Sequence, residues 1–213
     1  IPQLDNPDVI VTVGSGTLMD FARYPAHKLG VPFVAIPTLA SSDGFTANIC
    51  SIVIDGQKKS IPMSAPALVV ADLNIISGAP KFLMVSGIAD ILSKYTSIAD
   101  WKMAALVSGE HYFERVAGMA QQALDMMAEC VENILAGGEP DHEAMTMAQM
   151  ISGLTMQMLR NSRAASGAEH LIAHLVEMKP PRFENAHGIH GECVGVGTIL
   201  CAEEYHRMAA KTP

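Results

Sequence analysis

Apolar positions along this chain follow two different periods. Between Asp8 and about Asp72, short β-rich runs alternate with turns: Val9-Ile-Val-Thr-Val13, the turn Gly14-Ser-Gly16, a helical stretch from Thr17 to Leu29, then Pro32-Phe-Val-Ala-Ile36. Strand, glycine turn, helix, strand is the order of a βαβ unit of a parallel sheet. Ile49 to Ile54, Asp55-Gly56 and Lys58-Lys-Ser-Ile61 predict a hairpin, because Asp-Gly supplies the positive φ that a tight turn needs. Leu68-Val-Val-Ala71 predicts another short strand. From about Pro80 the period becomes 3.6, rich in Ala, Met and Leu, and predicts helices over 80–108, 110–136, 140–160, 166–178 and 190–209. Gly137-Gly138 and Pro180-Pro181 punctuate these helices where chain breaks belong. The pattern therefore predicts an α/β part over residues 1–79 followed by an all-α domain over 80–213. One βαβ unit with a few extra strands makes a thin sheet for a nucleotide-binding domain, so a truncated copy of something larger is expected.

Composition narrows the function classes. With 213 residues, 49% of them hydrophobic, the chain can bury a substantial core. No apolar run reaches the length of a transmembrane helix, and Ile1-Pro-Gln-Leu-Asp-Asn lacks the basic and apolar regions of a signal peptide, so a cytoplasmic setting without membrane contact is expected. Cys50, Cys130, Cys193 and Cys201 form no CxxC pair and read as reduced thiols. A net charge of -8 argues against nonspecific nucleic-acid binding, which needs a cationic face. It still permits a small anionic substrate held by a local cluster of donors. The many Met residues are explained as adaptable core filler.

The densest chemistry lies in Ser166-Gly-Ala-Glu-His170-Leu-Ile-Ala-His174 and His187-Gly-Ile-His190-Gly-Glu. Imidazole binds Zn, Ni, Fe or Co, and two His at i, i+4 project from one helix face. The same spacing also suits ordinary core histidines, so a carboxylate from elsewhere would have to complete a metal site. Asp90, in Ser86-Gly-Ile-Ala-Asp90, is the candidate carboxylate; placed at the start of a helix, it could equally complement the helix dipole. Gly14-Ser-Gly16 follows a strand and opens a helix, so its backbone N–H groups could approach a pyrophosphate, or the residues could form a plain turn. Pro37-Thr-Leu-Ala-Ser-Ser-Asp-Gly44 follows the next strand, where ligands of parallel sheets sit; Thr38, Ser41 and Ser42 can donate, and Asp43 can accept. Trp101 reads as core, and His27, His111, His142 and His206 receive no role.

Taken together, PTLASSDG, SGIADILSKYTSIADWKMA, SRAASGAEHLIAH and HGECVGVGT, in that order, resemble the sn-glycerol-1-phosphate dehydrogenases of the iron-dependent alcohol dehydrogenase and dehydroquinate synthase superfamily. The resemblance runs from Val9 to about Leu200. It implies a Rossmann-like part followed by a helical, dehydroquinate synthase-like domain, with the active site in the cleft between them. It implies Asp90, His170 and His190 as metal ligands, His190 being preferred to His187 because it heads HGECVGVG. It places the turn that runs from Gly14 and Gly16 through Thr17 and Leu18 to Asp20, with the loop Thr38 to Ser41, against NAD or NADP. It gives Asp43, Asp90 and His174 contact with substrate, Asp90 and His174 being catalytic.

The activity so implied is NAD(P)-linked hydride transfer between glycerone phosphate and sn-glycerol 1-phosphate, a reaction of phospholipid metabolism, with one divalent metal: zinc by default, nickel or iron within the superfamily's range. Alternatives are another polyol dehydrogenase, a dehydroquinate-synthase-like lyase, or a non-catalytic metal-binding fragment. Ala47, where the family usually has Ser, and Ala89, where it usually has Gly, are mild departures. The choice between NAD and NADP stays open, and surface left by absent strands would favour a homo-oligomer.

Overall fold

In the computed structural model, residues 6–178 and 188–211 are described. Strand β1 (Ile10–Gly14) leads through helix α1 (Gly16–Leu29) into β2 (Phe33–Pro37), and the two strands pair in parallel. The hairpin of β3 (Ile49–Ile54) and β4 (Gln57–Pro62) follows, closing on Asp55 and Gly56, both at positive φ. A short β5 (Leu68–Val69) adds to the far side of β2, giving the order β1-β2-β5. Seven helices then complete the described residues: α2 (Leu73–Ser77), α3 (Lys81–Leu92), α4 (Lys94–Ser108), α5 (Glu114–Leu135), α6 (His142–Leu159), α7 (Ala168–Glu177) and α8 (His190–Ala209).

The result is a helix-rich molecule with a small parallel sheet. Three differences from the sequence pattern have physical causes. The helix predicted over 80–108 is two helices, broken at Ser93, where the Ser93 and Thr96 hydroxyls donate to backbone carbonyls three residues back and offer the chain an alternative to helical bonding. Asp90 accordingly lies in the last turn of α3 and not at a helix start, so complementing a helix N-terminus is not its role. The segment after β5 holds the short helix α2, capped by the Asp72 carboxylate, which accepts from Asn74 N–H at 2.9 Å.

Two packing features set up the site. Met19, Ala26, Phe33, Ala35 and Phe45 form the core beneath the sheet, and Met150 of α6 packs against it, which couples sheet to helices. Arg23 of α1 is fully buried beside them and donates to the carbonyls of Ile49 and Gly44, the latter at 2.8 Å. Its side chain thus fastens both the loop after β2 and the start of the hairpin to α1. On the helical side, Ile91, Met127, Met145 and Ala148 form a second core between α3, α5 and α6, using methionine as filler. Trp101 is buried with Val116 and Ala164, and its indole N–H donates to His111 O at 3.0 Å.

Helix α8 lies against α3 and α7 where its glycines permit. A Cβ on Gly191 would overlap the Ser86 carbonyl of α3, and one on Gly197 would overlap the Glu169 carbonyl of α7. Only residues without a side chain let three helix backbones approach this closely. These approaches bring Asp90, His170 and His190, one from each helix, to a common point.

Candidate metal centre

Asp90 is the centre of the arrangement and is wholly buried. Its Oδ2 accepts from the Asp43 backbone N–H at 3.0 Å, which ties α3 to the loop after β2. Its Oδ1 has no hydrogen bond of standard geometry. That oxygen lies 3.4 Å from His170 Nε2 and 4.0 Å from His190 Nε2. One ligand atom from each of the three residues falls within 4.8 Å of the other two. A buried carboxylate oxygen left without a hydrogen bond, faced by two imidazole nitrogens, is the donor set of a divalent cation such as Zn, Ni or Fe.

The opposite nitrogen of each imidazole is held by a carboxylate. His170 Nδ1 lies 2.8 Å from Glu169 Oε1, and His190 Nδ1 lies 2.7 Å from Glu177 Oε1. Glu169 is itself fixed by the Gly167 N–H at 2.6 Å and the Thr96 hydroxyl at 2.9 Å, while Glu177 pairs with Lys58 of β4. Carboxylate–imidazole pairs of this kind fix ring orientation and raise ligand basicity in metal sites. The residues present therefore fit a divalent metal.

Behind Asp90 sits Lys94, fully buried, with Nζ 3.0 Å from Asp43 Oδ2, 3.6 Å from Asp90 Oδ1 and 2.8 Å from the Asp90 carbonyl. Burial works against charge on both partners. For Lys94 the carboxylates of Asp43 and Asp90 outweigh it and raise the pKa. For Asp90 the Lys94 ammonium, aided by His170 and His190, outweighs burial and holds the carboxyl far below the usual range, so it is ionised. At His170 burial opposes protonation, but Asp90 and Glu169 prevail and raise its pKa. Glu177 is held down at about 2: burial opposes the shift, and His190 and Lys58 overcome it. His174, one turn beyond His170, is lowered to about 4 by burial, with Lys58 adding to the effect, which leaves a neutral ring at neutral pH. Its ring lies 6.2 Å from that of His170 and stacks at 6.1 Å with that of His190.

The three histidines line one end of a cavity of about 1020 Å³. Its other walls include the α1 start and the loop after β2, with Gly16, Thr17, Asp20, Ser41 and Asp43, and the β3–β4 hairpin. Gly14, Leu18 and Thr38 do not line it: Gly14 O accepts from Thr38 N–H at 3.0 Å, joining the two turns from behind, and the Leu18 side chain folds over Gly14. Asp20 points its carboxylate to the Ser51 N–H at 3.1 Å and to Arg23 at 3.4 Å, so it anchors the hairpin. Asp43 lines the cavity, yet its carboxylate is engaged by Lys94 and, at 2.7 Å, by the Ser152 hydroxyl. Ser86 joins the loop to α8, donating to Ser41 O at 3.0 Å and accepting from Gly191 N–H at 3.1 Å. Ala47 is buried against Met156 and Ala165, and Ala89 fits beside Gly195 of α8. His187 lies outside the described residues, and so does the Lys179–Arg182 stretch.

Sequence reasoning passed over Lys94, Glu169, Glu177 and Lys58. The i, i+4 spacing of Asp90 and Lys94 could have pointed to the first. Nothing local links Lys58 to Glu177, which are 119 positions apart.

The family model of the iron-containing alcohol dehydrogenases matches residues 2–80 of this chain. Among curated relatives, the glycerol-1-phosphate dehydrogenase [NAD(P)+] of Geobacillus stearothermophilus is 36% identical over 204 residues, 96% of this chain and 50% of that protein. The enzyme of the same name from Methanothrix thermoacetophila is 38% identical over 193 residues, 91% of this chain and 53% of its own length. Of solved structures, glycerol dehydrogenase from Schizosaccharomyces pombe superposes with a TM-score of 0.74 at 24% identity, over 98% of this chain and 52% of that one. The chain is thus similar to glycerol-1-phosphate dehydrogenases over more than nine tenths of its length, and over residues 2–80 to the iron-containing alcohol dehydrogenases. It spans about half the length of the curated relatives it matches.

Proposed function

We propose that this chain carries the metal and substrate side of an NAD(P)-linked glycerol-1-phosphate dehydrogenase, interconverting glycerone phosphate and sn-glycerol 1-phosphate. The observation that carries the reading is the convergence of Asp90 Oδ1 with His170 Nε2 and His190 Nε2 at the end of the cavity. In this reading residues 1–79 form a Rossmann-like, nucleotide-facing part and 80–213 the helical, dehydroquinate synthase-like part. Asp90, His170 and His190 are the metal ligands.

When bound there, a divalent metal supplies Lewis acidity at the substrate carbonyl, and the reduced nicotinamide supplies hydride. The protein's own contribution is positioning. Glu169 and Glu177 present the Nε2 atoms toward Asp90, and Lys94 keeps Asp90 ionised in a dry site. His174, neutral at working pH, accepts a hydrogen bond from a substrate hydroxyl or takes up a proton from it. Asp43 contacts substrate chiefly through its place in the cavity wall, since its carboxylate is already engaged. Gly16, Thr17, Asp20 and Ser41 face the dinucleotide across the same cavity, with Gly14, Leu18 and Thr38 shaping the turns behind them. A cytoplasmic setting accords with four free, buried cysteines, and a homo-oligomer with the exposed apolar surface of β1 and α1.

The test is oxidation of NADH and NADPH with glycerone phosphate, after loading zinc, nickel or iron and again after EDTA. Metal-dependent turnover is the expected result. Zinc binding through His170 without any turnover would instead identify a metal-binding chain that lacks the catalytic reaction.

A further inference from the structure

Asp20 and Asp43 line the cavity, yet both carboxylates are engaged, and the two cations that engage them, Arg23 and Lys94, are each fully buried. Among the described residues, Lys58 of the hairpin is the one lysine or arginine that lines the cavity itself. Its side chain is 13% exposed, it lines the cavity together with His174, and it pairs with Glu177. The ammonium carries three donor hydrogens, so one bond to Glu177 Oε2 leaves donors for a second anion. Ser60 and Ser51, on the same hairpin, add hydroxyls to the same wall. A doubly charged phosphate entering a cavity of this kind needs a full positive charge to offset its loss of water.

We propose that Lys58 recognises the substrate's phosphate and makes the site select a phosphorylated over an unphosphorylated polyol. The inference rests on the function proposed above and adds the group that reads the phosphate. The cofactor's pyrophosphate is the other possible source of the same chemistry, but the turn that suits it, Ser15 to Thr17, lies on α1 and not on the hairpin. Because Glu177 Oε1 holds His190 while Oε2 holds Lys58, one carboxylate joins the phosphate reader to the metal ligand.

The experiment is calorimetric titration of the zinc-loaded full chain with glycerol 1-phosphate, glycerol and NADH separately. The unsubstituted chain should bind glycerol 1-phosphate at least about 10-fold tighter than glycerol, the margin expected of one charge-assisted hydrogen bond. Lys58→Met should abolish that preference while zinc content and NADH affinity stay unchanged, and Lys58→Arg should keep it. If Lys58→Met sheds zinc, Lys58→Gln, which retains a donor to Glu177 without the charge, carries the same comparison. A preference that survives in both variants, or a loss confined to NADH binding, overturns the assignment while leaving the dehydrogenase reading intact. No preference in the unsubstituted chain overturns it too, and turnover with unphosphorylated polyols then decides whether the broader reading stands.

Discussion

The two ends of the cavity are built differently. At the candidate metal end, Asp90, Lys94 and Glu169 are each fully buried, and each is tied to at least two partners, one of them from a distant segment of the chain. At the other end, Phe21 of α1 is 75% exposed, and the adjoining β1, an edge strand among the described residues, leaves Val11 and Val13 53% and 56% exposed. The candidate metal end is preorganised by charge and hydrogen bonding among buried side chains, whereas the end proposed to face the nucleotide rests on two backbone turns and one buried arginine. A site that orients a small cation needs atoms fixed to fractions of an ångström, and such precision comes from burial and mutual support. A surface that receives a long, flexible dinucleotide needs fewer fixed side chains, because backbone donors supply much of the grip.

Substitutions should separate the two ends, beginning with the largest effect. Asp90→Asn should abolish zinc binding, read by metal analysis after dialysis. It should also cost about 3 kcal/mol in urea melts, because it leaves Lys94 buried with Asp43 as its remaining carboxylate. Retention of zinc by this variant would remove Asp90 from the ligand set. Next, Gly191→Ala drives a methyl into the Ser86 carbonyl and should cost about 1–3 kcal/mol while weakening zinc binding, since α8 must retreat and carry His190 with it. Unaltered zinc affinity in a destabilised Gly191→Ala protein would uncouple helix spacing from the site.

A smaller effect is expected at Tyr205, whose hydroxyl donates to Asp100, the carboxylate that also caps α7 by accepting from Ala168 N–H at 2.7 Å. Burial, then Asp100, raises the Tyr205 pKa. The folded protein thus favours the neutral phenol, and this contribution is complete below about pH 10, the ordinary tyrosine value, and is lost as the pH climbs toward the higher folded value. Tyr205→Phe should cost about 1 kcal/mol at neutral pH and flatten the fall in stability above about pH 10. An unchanged alkaline slope would show that another group governs it. At the α1 end of the cavity, Phe21→Ser should change stability by no more than about 0.5 kcal/mol, as for other exposed positions. A much larger loss, measured by the same melts, would mean that the face is covered in solution and would erase the contrast.

Much of this molecule was legible in its residues. The switch from alternating to 3.6-residue periodicity located the strands and helices, because backbone geometry decides which side chains share a face and burial requires that face to be apolar. The Asp-Gly turn and the Gly14-Ser-Gly16 turn were readable because φ > 0 and a strand-to-helix reversal demand small residues. The types of candidate ligand, carboxylate and imidazole, were readable from their chemistry, and the family's motifs picked out Asp90, His170 and His190.

Tertiary structure alone decided how those residues are held. Asp90 looked like a residue at a helix start and lies instead in the last turn of α3, since a break at Ser93 depends on hydroxyls bonding back to the chain. The support from Lys94, Glu169, Glu177 and Lys58 arises where α3, α4, α7 and β4 meet, and glycines at Gly191 and Gly197 set how closely α8 can approach. Local sequence carries periodicity and side-chain chemistry, whereas distances between residues far apart in the chain follow from how whole elements pack, and those distances turn separate carboxylates and imidazoles into one site.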